Sequence, residues 1–178
     1  MRNKIIFGIA LIGLVVIQTV QAQQSCRKVH NFCKSAIPDD ERSKIWELNN
    51  QSKSATVEKG KIYEIGFIAY KDFVYRLSTC TDVEDGEKIN FEIFHTELVR
   101  RPDINGNPRI FKDKVSIYNN EENEMTQYYK FRVEKSEKLF VKVNIPSSGK
   151  SESKQFKDSD FVCVGVLLEH SKAEKLGF

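Results

Sequence analysis

The sequence predicts an all-β fold, a jelly-roll-like antiparallel β-sandwich with a short N-terminal helical segment packed on one sheet. Three observations predict it. Apolar and polar residues alternate from about residue 52 onward, the period of strands with one buried face. Turn signals fall between the alternating runs, as in a fold of many short strands. Two runs, residues 62–70 and 161–168, are apolar on both faces, which marks central strands whose outer faces are covered.

The alternation assigns each strand a core face. Tyr63, Ile65, Phe67 and Ala69 share one face, and Phe73, Tyr75 and Leu77 share another. Ile89, Phe91 and Ile93 continue the pattern, with His95 on the same side. Val115 and Ile117 are the inward pair expected of "RIFKDKVSIY". Tyr129, Phe131 and Val133 follow, then Leu139, Val141, Val143 and Ile145. The breaks are "YKDF", "DVEDGEK", "RPDINGNPR", "NNEENE" and "PSSGKSESKQ", the last long enough to be expected to move. A first strand is expected from about Trp46.

Ahead of this domain stand two other segments. Arg2 and Lys4 precede an uncharged apolar run of 13 residues, Ile5 to Ile17, and a small-residue exit at Val20 and Ala22. That order defines a secretory signal peptide, and the run is short for a membrane span. The expected organisation is 1–22 signal peptide, 23–45 N-terminal cover segment, 46–172 β-sandwich and 173–178 C-terminal tail. In the cover, "CRKVHNFCKSA" places Val29, Phe32 and Cys33 at helical spacing, and Pro38 ends it.

Charge excludes one class of partner. Loss of Arg2 and Lys4 with the leader takes Lys plus Arg from 28 to 26 against 25 Asp plus Glu, so the mature chain carries about +1. Its basic residues form no clustered patch, so no nucleic-acid partner is expected. No membrane span is expected once the leader is removed.

Cys26, Cys33, Cys80 and Cys163 are an even set in an exported chain, where disulfides are the rule. Strand parity puts Cys80 opposite Phe73, Tyr75 and Leu77, and Cys163 opposite Val162, Val164 and Val166. Both therefore point away from the main core, able to bond to each other across neighbouring strands or to the cover. Cys80–Cys163 is the favoured pair. Cys26–Cys33 would span about 10 Å on a regular helix, more than the roughly 7 Å a disulfide allows.

Catalytic signatures are missing from the sequence. His30, His95 and His170 have no metal-ligand spacing, and no G-x-S-x-G elbow, P-loop or G-x-G-x-x-G occurs. "TDVEDGE" has its glycine fifth where a calcium loop needs it sixth. No catalytic residue, metal ligand or cofactor is expected. Tyr70, Tyr118 and Tyr128 fall on the less buried parity of their strands, and Arg76 faces away from the core set. These four form the candidate binding surface, since exposed aromatics stack on sugars or dock partners.

The stretch "LNNQSKSATVEKGKIYEIGFIAYKDFVYRLSTC" and the closing "CVGVLLEH" resemble small exported single-domain β-sandwich proteins of Gram-negative bacteria, a group without an assigned activity. Gly60, Tyr63, Phe67, Tyr75, Arg76, Cys80 and Cys163 carry the likeness. It implies export, to the periplasm or the cell surface, and a single β-domain. The expected function is a non-catalytic binding or structural module of the cell envelope with a protein or glycan partner. A secreted hydrolase with an unrecognised site and an outer-membrane β-barrel are the alternatives. A hydrolase would gather His95 or His170 with carboxylates in a pocket. A barrel is disfavoured by a closing strand apolar on both faces.

Overall fold

The computed structural model describes residues 25–42, 45–82, 89–146 and 160–176. The signal peptide, most of "DVEDGEK", the connection expected to move and the last two residues lie outside them. The strands are β1 (Glu47–Leu48), β2 (Lys53–Glu58), β3 (Ile62–Ala69), β4 (Phe73–Thr81), β5 (Asn90–Pro102), β6 (Pro108–Asn119), β7 (Tyr128–Arg132), β8 (Glu137–Asn144) and β9 (Phe161–Lys172).

They form two sheets. One has the order β1-β9-β4-β7, with β2 also pairing β9, and the other has the order β3-β8-β5-β6. The antiparallel pairs β2–β9, β3–β8, β4–β7 and β5–β6 nest inside one another in sequence. This is a long antiparallel ribbon rolled onto itself, the jelly roll the alternation predicts. Each sheet keeps two open edges, β1 and β2 opposite β7 in one and β3 opposite β6 in the other, so the described strands form a sandwich and not a closed barrel.

The inward parity holds along most strands. Phe67, Tyr75, Leu77, Phe91, Ile93, Leu139, Val141, Val164 and Leu168 are buried in one cluster between the sheets. Each such side chain contributes about 1.5–3 kcal/mol on burial. Tyr75 stacks on Phe131 at 5.7 Å between centroids, and its hydroxyl accepts the Tyr70 backbone N–H at 2.8 Å, tying the β3–β4 turn to the core.

Three expectations are corrected. First, β3 is an edge strand, paired with β8 alone, and its second face is open: Ile62 is 60% and Ile68 46% exposed. Of the two doubly apolar strands, only β9 is central and covered. Second, a β-bulge between Ile93 and Phe94 shifts the register, so Ile93 faces Tyr118 while Phe94 faces Ser116. One extra residue reverses the alternation. Tyr118 turns into the core beside Phe91 and is 9% exposed, and Val115 falls on a projecting part of β6 where it is exposed. Ile117 packs against the core as expected.

The third correction concerns the disulfides, which are Cys26–Cys163 and Cys33–Cys80, with Cα separations of 5.2 and 4.9 Å. Cys80 lies opposite Gly165, leaving Cys163 two residues farther along β9. Such diagonal neighbours are about 7–8 Å apart, too far for direct bonding. Both cysteines do face away from the main core, as parity predicts. Between them lies the cover, 3-10 turns over Ser25–Ala36 broken at Lys28 (φ −138°, ψ 18°). It presses onto the sheet at Gly165, where an added Cβ would sit 2.6 Å from the backbone N and Cα of His30. Real side chains cannot make that approach, so a glycine is required there. Val29, Ile37 and Leu167 complete the apolar contact.

Candidate functional site

At the open side of the sandwich, the loop after β6, the edge strand β7 and the end of the cover surround a hollow of about 590 Å³. Glu41, from the short helical turn Asp39–Glu41, forms one wall. Tyr118, Tyr128, Tyr129 and Lys130 form another, and Glu122, Asn123, Glu124 and Thr126 form the rim.

The rim is held rigidly by its own sequence. Asn119 caps the turn Asn120–Glu122, its side chain accepting the Glu121 N–H at 3.1 Å. Asn120 is fully buried: its Oδ1 accepts the Phe91 N–H at 2.8 Å, and its Nδ2 donates to the carbonyls of Ile89 and Thr126. The Met125 N–H closes the loop onto the Asn120 carbonyl. Glu124 and Met125 sit at φ +54° and +56°, a conformation costly outside glycine that persists only where surroundings over-determine it. Asn120 supplies that determination, and the result is Glu122 and Glu124 fixed at the mouth.

The aromatic wall comes from both sheets. Tyr118 and Tyr129 stack at 3.9 Å between centroids. Tyr128 points to the other side of β7, where its hydroxyl donates to Glu41 Oε2 at 2.5 Å and Lys130 Nζ reaches the same oxygen at 3.0 Å. The Tyr128 bond holds the Glu41 carboxyl below the usual carboxylate range, against the opposing effect of burial and with help from Lys130. Burial, then the adjacent Glu41 carboxylate, push the Tyr128 hydroxyl well above the ordinary tyrosine value.

β7 also offers backbone. The Thr79 N–H donates to the Gln127 carbonyl, so in this antiparallel pair Gln127, Tyr129 and Phe131 turn their backbone groups toward β4. Tyr128, Lys130 and Arg132 then present N–H and C=O along the open edge. Two positions on other edges are plugged: the Gln51 amide bonds both the N–H and carbonyl of Ile68 on β3, and the Tyr63 hydroxyl takes the Glu58 N–H on β2.

The four candidate residues are thus divided. Tyr118 and Tyr128 meet at the hollow, Tyr118 as a core residue showing only an edge. Tyr70 is half-exposed at the β3–β4 turn, apart from them. Arg76 is not a surface residue: it is 3% exposed beneath the cover, its Nε donating to Glu169 Oε2 at 2.6 Å and its Nη1 to the Glu41 carbonyl at 2.6 Å. Its guanidinium lies over the Trp46 ring at 4.5 Å. Strand parity places Arg76 off the core correctly, but that face is roofed. Sequence reasoning missed Glu41 and the 122–126 rim. The consecutive asparagines of "NNEENE" are the signal that this connection is a built turn.

The histidines occupy three separate settings. His95 Nδ1 lies 2.8 Å from Glu137 and its Nε2 3.6 Å from Glu97 at the end of the inward face, away from the hollow. His170 packs edge-on against Phe73 inside the sandwich. His30 Nδ1 and backbone N–H both engage Ser54 Oγ, at 2.7 and 2.9 Å, which ties the cover to β2. Burial lowers the His30 pKa. Among the described residues no group of three His, Cys, Asp or Glu is arranged to hold a metal, and no helix is long and apolar enough to cross a membrane. No protein-family model matches the sequence, and no curated protein does.

Proposed function

We propose that the protein is an exported, non-catalytic binding module of the cell envelope that takes an extended segment of a partner protein along β7. The observation that carries this reading is the unplugged β7 edge beside a rigid, tyrosine-walled hollow. An added strand would draw affinity from main-chain hydrogen bonds at Tyr128, Lys130 and Arg132, and specificity from side chains entering the hollow. Glu122 and Glu124 at the mouth favour a basic residue in the incoming strand. Export is supported by the leader-like N-terminus and by two disulfides, which persist in oxidising compartments. A non-catalytic role is supported by the separation of the three histidines from one another and from the hollow; His95 does meet two carboxylates, Glu137 and Glu97, and a hydrolase reading would rest on that group. A glycan stacked on the tyrosines is the competing occupant.

The test is affinity capture of the tagged protein from its own envelope, compared with Arg132→Pro. Proline there removes an outward N–H and spares the bonds to β4. The expected result is one enriched partner that the variant loses. Retention on a glycan array with no captured protein would transfer the hollow to a sugar. The absence of both a captured partner and glycan retention would overturn the reading.

A further inference from the structure

β5 and β6 outrun their sheet. β5 pairs β8 only as far as Phe94, yet β5 and β6 stay paired to Pro102 and Pro108. The eight residues 95–102 carry this two-stranded arm about 27 Å beyond the last β8 pair. Its two faces differ. On one, Arg101 pairs with Asp113 at 3.0 Å and lies over the Phe111 ring, while Arg109 pairs with Asp103 at 3.0 Å. That face is electrically satisfied.

The other face carries Leu98 opposite Lys112 and Arg100 opposite Ile110. Leu98 is 74% and Ile110 66% exposed, and among the described residues nothing pairs with Arg100 or Lys112. At the end stands Ile104, fully exposed. The turn that holds it bonds four of its own N–H groups internally. Asp103 Oδ1 accepts the N–H groups of Asn105 and Asn107, the Asp103 N–H goes to the Asn107 carbonyl, and the Gly106 N–H, at φ +82°, returns to the Asp103 carbonyl. A tip with most of its N–H groups already bonded loses less on leaving water.

We infer that this arm docks on an anionic phospholipid surface, with Ile104 entering the acyl boundary, Leu98 and Ile110 following, and Arg100 and Lys112 bound to headgroup phosphates. Charge complementarity selects this occupant: the Ile104 tip is flanked by two unpaired cations, and Glu97, the arm's one carboxylate without an Arg or Lys partner, lies on the opposite face beside His95. Long basic side chains beside exposed aliphatics suit an interface where stems sit in hydrocarbon and heads in the phosphate layer. The contact is independent of the β7 hollow and fails or holds separately from it.

The test is co-sedimentation of the full mature chain with vesicles of phosphatidylethanolamine plus phosphatidylglycerol, against vesicles of phosphatidylcholine alone. Binding is expected only to the anionic vesicles and should be lost at high salt. Arg100→Gln with Lys112→Gln should weaken it about thirtyfold, the factor given by about 1 kcal/mol per basic side chain. Ile104→Asp should weaken it further. Ile104→Trp should show a blue-shifted emission on vesicle addition that brominated lipid quenches. All these positions are exposed, so unchanged thermal unfolding controls for folding. No vesicle binding, binding indifferent to Ile104→Asp, or a self-associated species that Ile104→Asp dissolves would each overturn the inference.

Discussion

On the outer face of the five-stranded sheet, Arg76, Cys163, Gly165 and Glu169 lie beneath the cover. On the outer face of the four-stranded sheet, Ile62 and Ile68 stand in water. The strands concerned, β9 and β3, look alike in sequence, each apolar on both sides. Their glycines separate them. A Cβ at Gly165 would strike the His30 backbone, whereas one at Gly66 would press on the flexible end of Lys138 at 2.9 Å and make an ordinary 3.5 Å contact with the Phe140 ring. Side chains that move aside leave a face accessible; backbone that cannot move marks a face already taken. A second apolar face therefore attracts a roof only where cysteines, a glycine and a buried ion pair receive one.

The largest break in this contrast should come from the staples. Cys26→Ser with Cys163→Ser is expected to cost about 2–5 kcal/mol of unfolding free energy, read from the urea midpoint, and to expose the Ser25–Ala36 segment to protease. Equal stability would mean that the roof is ornamental. Next stands the ion pair beneath it. Arg76→Met should cost about 3–5 kcal/mol, since it leaves the buried Glu169 carboxylate only the longer, exposed Lys34 contact at 3.7 Å. Arg76→Met with Glu169→Leu should recover most of that, and a double variant no better than the single would assign the loss to packing on Trp46.

Acid should act on the same roof by a smaller amount. Glu41 has its carboxyl pKa lowered in the fold by the Tyr128 hydroxyl, so its contribution is fully present above the ordinary carboxylate range. It is lost as pH falls through the lowered folded value. The protection factor against hydrogen exchange at the Asp39–Glu41 turn should fall on acidification, and Tyr128→Phe should move that fall to higher pH. An unchanged profile in the variant would remove Tyr128 as the cause. The smallest effect belongs to the open face: Ile62→Thr with Ile68→Thr should shift stability by no more than about 0.5 kcal/mol per site. A loss near that of a core residue would show that this face is packed after all.

Much of this architecture is legible from alternation, because a two-residue period fixes which side chains face inward whatever the neighbours are. The jelly roll, the core set, the outward cysteines and the roofing segment all follow from it. Alternation fails where the period slips, and the bulge at Ile93 and Phe94 carries Tyr118 across to the other face. It also says nothing of what lies over a strand's back. Arg76 reads as a surface cation because its partner, Glu169, is 93 residues away, and the edge position of β3 depends on pairing that the strand itself does not encode. The hollow was hidden for a related reason. Its rim comes from a polar connection whose order depends on Asn120 reaching the carbonyl of Ile89, a distant contact that no local pattern announces.

The spacing of the bridged cysteines sets a timetable for the newborn chain. Cys33 meets its partner 47 residues later, but Cys26 must wait 137. Its partner sits on β9, the strand that β1, β2 and β4 all need for pairing. A chain emerging amino-terminus first therefore cannot assemble the five-stranded sheet until β9 appears. Meanwhile Cys26 and Cys33 have only each other and then Cys80, all wrong choices for Cys26. A bond closed before β9 is made would have to be reopened by thiol–disulfide exchange before Cys26 could reach Cys163.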